Sequence, residues 1–312
     1  MRLINATTLE LDFFYGDDIP RYAILSHTWG KEEVTFQDWQ SLESAKTKAG
    51  FTKIEGACRQ AIRDGLEYVW VDTNCIDKSS SSELSEAINS MFAWYRNSQR
   101  CYVHLADVTE SPLESRWFGR GWTLQELLAP GRCFFYGADW DFLGTKEALA
   151  PFISEATSIE SKFILGTARI DSASISKRMS WVSKRKTTRT EDIAYCMLGI
   201  FNINMPMLYG EGTRAFLRLQ EELIKISADQ TIFCWEWGSG MPPSWCSILA
   251  PSPAEFANCS GFSPKLSSFA GEITPYVLTN VGMTMTAPYT RGQRCRLMVL
   301  SDCSPRPNFP RQ

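Results

Sequence analysis

Five residues that could contact a ligand follow a short apolar run near the start of the chain. Residues 21–36 read RYAILSHTWGKEEVTF. The apolar part leads directly into Ser26, His27, Thr28, Trp29 and Gly30. Hydroxyl groups and backbone amides at such a turn can bind phosphate oxygens. The run matches neither the G-x-G-x-x-G nor the Walker pattern, so it indicates a ligand contact without identifying the ligand. A loop histidine can equally bond a backbone group or a carboxylate.

A second group of reactive side chains lies in the stretch VWVDTNCID, residues 69–77. Asp72 and Asp77 have carboxylates that could contact a ligand, although aspartates in loops also cap the backbone. Cys75 could act as a nucleophile, but a thiol needs a neighbouring base, and no histidine is close to it in sequence. We therefore predict a ligand-binding role for all three residues, with nucleophilic catalysis by Cys75 disfavoured.

The elements that position these residues alternate between strand and helix patterns. Apolar runs predict strands at 22–26, 66–72, 100–108 and 131–137. Helical spacing of apolar residues separates them, first from Ile54 to Ile62 and then from Leu84 to Tyr95. Such βαβ units predict an α/β fold with a mainly parallel, flavodoxin-like sheet flanked by helices. Ligands of these sheets lie at the carboxyl ends of the strands, where both polar groups above would meet.

The pattern changes after about residue 145, so we predict two domains, 1–145 and 146–312. The second is expected to be an appended α+β region, helical at first and then rich in strands. Thr188 and Glu191 resemble a capping box before a buried helix, and residues 212–227 are amphipathic. Strands are predicted in 231–237, 274–280 and 293–300, followed by a frayed, proline-containing tail at 304–312.

Composition excludes several classes of protein. The net charge of -3 gives no basic surface for nucleic acid. The ten cysteines form no C-x-x-C pair and neither of the two histidines is close to them at zinc-site spacing, so we predict reduced thiols and no metal site. The first 20 residues do not resemble a secretory signal, and no apolar window is long enough to span a membrane. We therefore expect a cytoplasmic protein.

Four long blocks resemble the fungal heterokaryon incompatibility (HET) domain and the region that commonly follows it. They are YAILSHTWG at 22–30 and the blocks at 64–95, 115–130 and 178–223. Asn74 departs from the family, which often has a second cysteine there. The resemblance implies a role in heterokaryon incompatibility and regulated cell death after non-self recognition. It also implies a partner, either an upstream sensor protein or a second copy of the chain.

HET domains are in turn similar to TIR domains, several of which hydrolyse NAD. The stretch WTLQEL, residues 122–127, is similar to a TIR motif in which the glutamate is catalytic. The resemblance places Glu126 on that glutamate and Trp122 on the motif tryptophan, with Thr123 replacing a cysteine. It implies a TIR-like sheet and NAD as substrate, with no other cofactor.

Cleavage of the nicotinamide–ribose bond suits a site with one carboxylate, because the pyridinium departs as a neutral molecule without being protonated. The carboxylate would hold the ribose hydroxyls and stabilise positive charge at the sugar. Trp122 lies four residues before Glu126 on one helical face and could pack against the substrate. Arg116 and Arg120 could neutralise the diphosphate.

Other interpretations remain open for these residues. Glu126 could be a surface residue that compensates the helix dipole, Trp122 a core residue, and the two arginines solvated. The chain could instead be a non-catalytic death-signalling module that self-associates through exposed aromatic residues. Candidates for that surface are Trp29, Trp39, Trp117 and Trp140. A nicotinamide-dependent oxidoreductase is disfavoured because SHTWGKEE lacks the glycine fingerprint.

Overall fold

The computed structural model describes residues 1–108, 112–237, 245, 247–264 and 276, together with five short strands between residues 277 and 305. Contacts within the chain divide it into two compact units, Met1–Ala168 and Arg169–Gln312. The domain boundary after residue 145 stays a prediction. Among the described residues, no helix is both long and apolar enough to cross a membrane.

The first unit contains a seven-stranded mixed sheet. Its strands are β1 (Arg2–Asn5), β2 (Leu11–Phe13), β3 (Tyr22–His27), β4 (Tyr68–Trp70), β5 (Arg100–His104), β6 (Cys133–Tyr136) and β7 (Phe142–Thr145). They are ordered β2-β1-β4-β3-β5-β6-β7. The four central strands β4, β3, β5 and β6 pair in parallel. The outer strands β1, β2 and β7 pair antiparallel. The α/β class and the four predicted strands are confirmed, whereas the three antiparallel strands were not predicted.

Seven helices connect or flank these strands. They are α1 (Phe36–Trp39), α2 (Leu42–Lys46), α3 (Phe51–Arg63), α4 (Ser81–Asn97), α5 (Thr123–Leu128), α6 (Lys146–Thr157) and α7 (Ser161–Ile164). Short 3₁₀ helices span Gly16–Asp18, Pro112–Glu114 and Arg116–Gly119. The two helical patterns read from the sequence are confirmed as α3 and α4. The Ser80 hydroxyl caps α4 by accepting from the Glu83 backbone amide at 3.4 Å.

The core of the first unit lies around β3, whose six residues are all buried. Tyr22, Ala23, Ile24 and Leu25 supply the apolar surface expected of a strand covered on both faces. Ser26 and His27 are buried as well, at the carboxyl end of the strand. Burying polar side chains is unfavourable unless they are hydrogen-bonded, so their partners decide what this end of the sheet can do.

The second unit begins with helices and continues with short strands. Its helices are α8 (Ile175–Ser180), α9 (Asp192–Tyr195), α10 (Leu198–Phe201) and α11 (Arg214–Ile226), with 3₁₀ helices at Ile170–Ser172, Gln230–Phe233, Pro253–Phe256 and Cys259–Gly261. Its strands are β8 (Phe262–Pro264), β9 (Val277–Thr279), β10 (Gly282–Thr284), β11 (Tyr289–Arg291), β12 (Arg296–Met298) and β13 (Cys303–Pro305). They form three antiparallel pairs, β9 with β10, β11 with β12, and β8 with β13.

Two predictions for the second unit are wrong. The predicted strand at 231–237 starts as the 3₁₀ helix Gln230–Phe233, because the Asp229 carboxylate caps it by accepting from the Thr231 amide. The predicted buried helix after Thr188 is split into α9 and α10. Glu191 does not complete a capping box there, since its carboxylate accepts from the backbone amides of Gly210 and Gly212. In the predicted frayed tail, residues 306–312 lie outside the described residues.

Candidate functional site

Glu126 is held at the carboxyl end of β3 by a buried chain of hydrogen bonds. The Ser26 hydroxyl donates to Glu126 Oε2 at 2.5 Å, and the Trp117 indole Nε1 donates to Ser26 Oγ at 2.8 Å. Glu126 lies in α5 and is only 8% exposed, while Ser26 and Trp117 are fully buried. Glu126 is therefore not a solvated residue that compensates a helix dipole.

The surroundings of Glu126 favour its protonated form near neutral pH. Burial is the largest cause and raises the pKa of Glu126 to about 7, with the negative charge of Asp72 adding to the effect. The hydrogen bond from Ser26 and the positive charge of Arg120 act in the opposite direction and are outweighed. A carboxyl group with this pKa can serve as either an acid or a carboxylate at neutral pH, which is typical of functional sites.

Asp72 connects three side chains at the same end of the sheet. Its carboxylate accepts from the Trp29 indole Nε1 at 3.0 Å and from Lys78 Nζ at 3.2 Å, and lies 3.1 Å from His27 Nε2. Burial alone would raise the pKa of Asp72, but Lys78 and His27 together hold it well below its ordinary value. The Lys78 ammonium also lies 3.7 Å from the centroid of the Trp29 ring, which is 42% exposed. The exposed Trp29 ring is thus held by a hydrogen bond to Asp72 and by a cation–π contact with Lys78.

The loop after β3 is organised by a buried ion pair. Lys53 Nζ lies 2.5 Å from Glu33 Oε1 and donates to the Thr28 carbonyl at 3.4 Å. The Gly30 amide donates to the same Glu33 oxygen, so this amide already has an acceptor. The Thr28 hydroxyl is buried without a hydrogen-bond partner in the described part of the chain. Three groups here were predicted to bind phosphate. The Ser26 hydroxyl already donates to Glu126 and the Gly30 amide to Glu33, whereas the Thr28 hydroxyl has no partner in the described residues.

The other predicted site residues are placed differently. Asp77 accepts from Gln37 Nε2 at 2.7 Å and from the Ser79 amide at 3.0 Å, so it shapes the loop before α4. Cys75 Sγ accepts from the Val71 amide at 3.4 Å, and burial raises the pKa of its thiol to about 12. A thiol that stays protonated is a poor nucleophile, which agrees with the low expectation for Cys75.

Trp122 and Arg120 precede α5, the helix that contains Glu126. Trp122 is half-buried and is the residue that precedes α5, while Arg120 is close enough for its charge to lower the pKa of Glu126. Arg116 instead contacts Asp107. Its backbone amide donates to that carboxylate at 3.0 Å, and its guanidinium pairs with the same group. The structure thus brings Arg120, rather than Arg116, into the environment of Glu126.

The prediction that Trp39 and Trp117 are exposed is wrong, because both are buried. Trp117 is a site residue that sequence reasoning missed, since it anchors Ser26 through its indole N–H. Nothing in the local sequence distinguishes this tryptophan from an exposed one. Its role depends on a contact between residues 91 positions apart.

The sheet topology places this site where ligands of α/β proteins usually bind. β3 pairs with β4 on one side and with β5 on the other, so the chain crosses from one half of the sheet to the other at β3. A crevice forms outside the carboxyl ends of the strands at such a switch point. Ser26, His27 and the loop carrying Asp72 all lie at this end. In the described residues no group of three or more His, Cys, Asp or Glu side chains could hold a metal ion.

Comparison with known proteins gives two matches. Residues 22–112 match the family model of the heterokaryon incompatibility protein (HET). The chain is also 44% identical over 223 residues to the vegetative incompatibility protein HET-E-1 of Podospora anserina. The match covers 66% of this chain but only 16% of that relative's length. No solved structure matches the chain.

Proposed function

This chain is a heterokaryon incompatibility (HET) domain protein, and from that premise we propose that it acts in vegetative incompatibility by hydrolysing the nicotinamide–ribose bond of NAD. Loss of NAD would then lead to regulated cell death. NAD is the substrate in this proposal, and no separate cofactor is invoked. Activation would come from an upstream sensor protein or from a second copy of the chain.

The arrangement of the parallel strands supports the comparison with TIR domains. Counted along the chain, the four parallel strands stand in the order second, first, third, fourth. Flavodoxin-like sheets begin with the same order. The stretch WTLQEL follows the third of these strands. Trp122 precedes α5 and the other five residues lie in it, so Glu126 is carried by a short helix.

The observation that carries the proposal is the buried contact between Glu126 and Ser26. A carboxyl group that is 8% exposed, with a hydroxyl 2.5 Å away and no ion pair to it in the described residues, is expensive to maintain for stability alone. In a low-dielectric site its charge would act strongly on a positive centre nearby. The oxocarbenium-like sugar of the NAD transition state is such a centre.

The neighbouring residues fit the remaining parts of the substrate. Trp122 could pack against the ribose or the nicotinamide ring, and Arg120 could meet one charge of the diphosphate. Thr28 has a hydroxyl free to bond a phosphate or ribose oxygen. Because nicotinamide departs without being protonated, Glu126 would act as the carboxylate.

The decisive experiment measures nicotinamide release from NAD by the purified protein and by Glu126→Gln. We expect the substitution to lower kcat by at least about 100-fold, the loss typical of removing one group that stabilises transition-state charge. Glu147→Gln is the matched control, because Glu147 also lies in the first turn of a helix but is exposed. Equal rates of nicotinamide release by the wild type and Glu126→Gln would rule out the proposed reaction.

A further inference from the structure

His27 follows Ser26 in β3, and its two ring nitrogens differ in their surroundings: one lies beside Asp72, and the other has no hydrogen-bond partner in the described residues. Its Nε2 is 3.1 Å from Asp72 Oδ1. The low pKa of Asp72 means that this carboxylate is ionised at neutral pH and can only accept a hydrogen bond. Nε2 therefore carries the hydrogen, and the neutral ring has its lone pair on Nδ1.

The Nδ1 atom of His27 is buried and has no hydrogen-bond partner within the described ranges of the chain. An unpartnered polar atom in the interior destabilises the folded protein. The His27 ring is held in position, because its side chain is 1% exposed and its Nε2 lies beside Asp72. A fixed imidazole with an unused lone pair has the arrangement of a base that a carboxylate orients.

Asp72 links His27 to Glu126 electrostatically. Its carboxylate lies 3.1 Å from His27 Nε2, and its negative charge raises the pKa of Glu126. Ser26 and His27 are the last two residues of β3 and point to opposite faces of the sheet. A substrate lying across the end of the strand would therefore contact Glu126 on one side and His27 on the other.

We infer that His27 is the general base for the water molecule in NAD hydrolysis, an inference that rests on the proposed function. The water oxygen bonds to C1′ of the ribose as the bond from C1′ to the nicotinamide nitrogen breaks. The bonding pair stays on that nitrogen and yields neutral nicotinamide. The water proton passes to His27 Nδ1, and the imidazolium is stabilised by Asp72 until the proton leaves to solvent. Glu126 stabilises the sugar throughout and gives up no proton.

A comparison of two nucleophiles tests this role. Water must lose a proton when it attacks C1′, whereas a substituted pyridine attacks through a free lone pair and exchanges with nicotinamide without losing one. We expect His27→Gln to lower kcat for hydrolysis by about 100-fold or more, as the loss of a general base does. Pyridine exchange by the same variant should change less than about threefold. Glutamine keeps an amide N–H that can reach Asp72, so the loop stays anchored.

The control is His104→Gln. His104 is the register neighbour of His27 in β5, and its Nε2 lies 3.2 Å from the Ala138 carbonyl oxygen. This variant should keep both reactions within about threefold. Parallel loss of hydrolysis and exchange in His27→Gln, or unchanged hydrolysis, would overturn the inference while leaving NAD cleavage by Glu126 intact. A wild type that performs neither reaction would instead refute the proposed function, and the inference with it.

A second measurement applies even where His27→Gln does not fold. The chain has only two histidines, so nitrogen-15 NMR of the imidazoles gives two separate sets of signals. We expect the His27 ring to carry its hydrogen on Nε2 at neutral pH. A ring with the hydrogen on Nδ1 would have no lone pair available there and would overturn the inference.

Discussion

At the scale of single residues, the buried carboxyl group of Glu126 makes the stability of the protein depend on pH. Its pKa is about 7 in the folded protein and close to 4.5 in the unfolded chain. The folded state therefore binds more protons between these values, and its stability falls as pH rises from about 4.5 to 7. A shift of this size corresponds to about 3 kcal/mol.

Glu126→Gln should remove this dependence, because glutamine does not ionise. We expect the variant to gain up to about 3 kcal/mol over the wild type at pH 8, and its advantage to shrink steadily as the pH falls to 4.5. Denaturant unfolding at several pH values measures the difference. The exposed Glu147→Gln control should show no such trend. A pH-independent difference for Glu126→Gln would contradict a raised pKa.

Ser26→Ala tests the other half of the same contact. The substitution removes the acceptor of the Trp117 indole and the donor to Glu126, so two buried groups lose a partner. We expect a loss of about 1–3 kcal/mol in the free energy of unfolding. Because the Ser26 hydrogen bond lowers the pKa of Glu126, the pH at which nicotinamide release reaches half its maximum should also move upward.

A suitable control for Ser26→Ala is Ser98→Ala. Among the described residues, the Ser98 hydroxyl donates only locally, to the Tyr95 carbonyl at 2.8 Å. It should cost less than about 1 kcal/mol and leave the pH profile unchanged. If both serine variants behaved alike, the Ser26 contact would have no special role at the site.

Sequence reasoning identified some of these residues and could not identify others. Glu126 was found through its resemblance to a motif, and Ser26 through its position at the end of an apolar run. The partnership between them joins residues 100 positions apart, and no local pattern encodes it. The same holds for Trp117, whose indole donates to Ser26, 91 positions away, and packs edge-on against Phe135 in β6.

At the scale of elements, the packing of α3 against the connection between β6 and β7 depends on one glycine. A Cβ added at Gly56 would lie 2.1 Å from Nε1 of Trp140. Trp140 has little freedom to move, because it adopts a left-handed backbone conformation and stacks on His104 with 5.0 Å between ring centroids.

Gly56→Ala is therefore expected to destabilise the protein by about 1–3 kcal/mol, although alanine is the better helix former. Thermal unfolding measures the effect. Gly131→Ala is the matched control, since a Cβ at that position meets no atom within 4 Å. A melting temperature of Gly56→Ala at or above that of the wild type would show that Trp140 can move away.

The elements that could be predicted are those with a continuous apolar run or a clear helical spacing of apolar residues. The central strands are buried on both faces and therefore read as continuous apolar runs. β2 and β7 are three and four residues long and partly exposed, so their sequences resemble loops. α9 and α10 were predicted as one helix because apolar residues continue through the break between them, where Cys196 and Met197 are both buried.

At the scale of the whole molecule, the compact unit Met1–Ala168 contains residues on both sides of the boundary that the change of sequence pattern predicts after residue 145. Lys146, the first residue of α6, is 2% exposed and donates to the carbonyl oxygens of Leu127 and Pro130. These carbonyls lie at the end of α5, the helix that carries Glu126. A protein cut after residue 145 would leave them buried without a donor.

We therefore expect a fragment of residues 1–168 to unfold cooperatively and a fragment of residues 1–145 to lack a cooperative transition. Circular dichroism during heating distinguishes the two. Two variants of the 1–168 fragment test whether Lys146 is the reason for this difference in unfolding. Lys146→Met should destabilise it, whereas Lys162→Met should not, because Lys162 is largely exposed. Cooperative unfolding of the 1–145 fragment would support the boundary predicted from the sequence pattern.

Both edge strands of the seven-stranded sheet are poorly suited to pairing with a strand from another molecule. β2 has only three residues, and the pairing of β7 with β6 has a register irregularity between Phe135 and Tyr136. Short or irregular edge strands are a common defence against amyloid-like templating. If copies of this chain associate, the short and irregular edges predict contacts through side-chain surfaces rather than through strands added to the sheet.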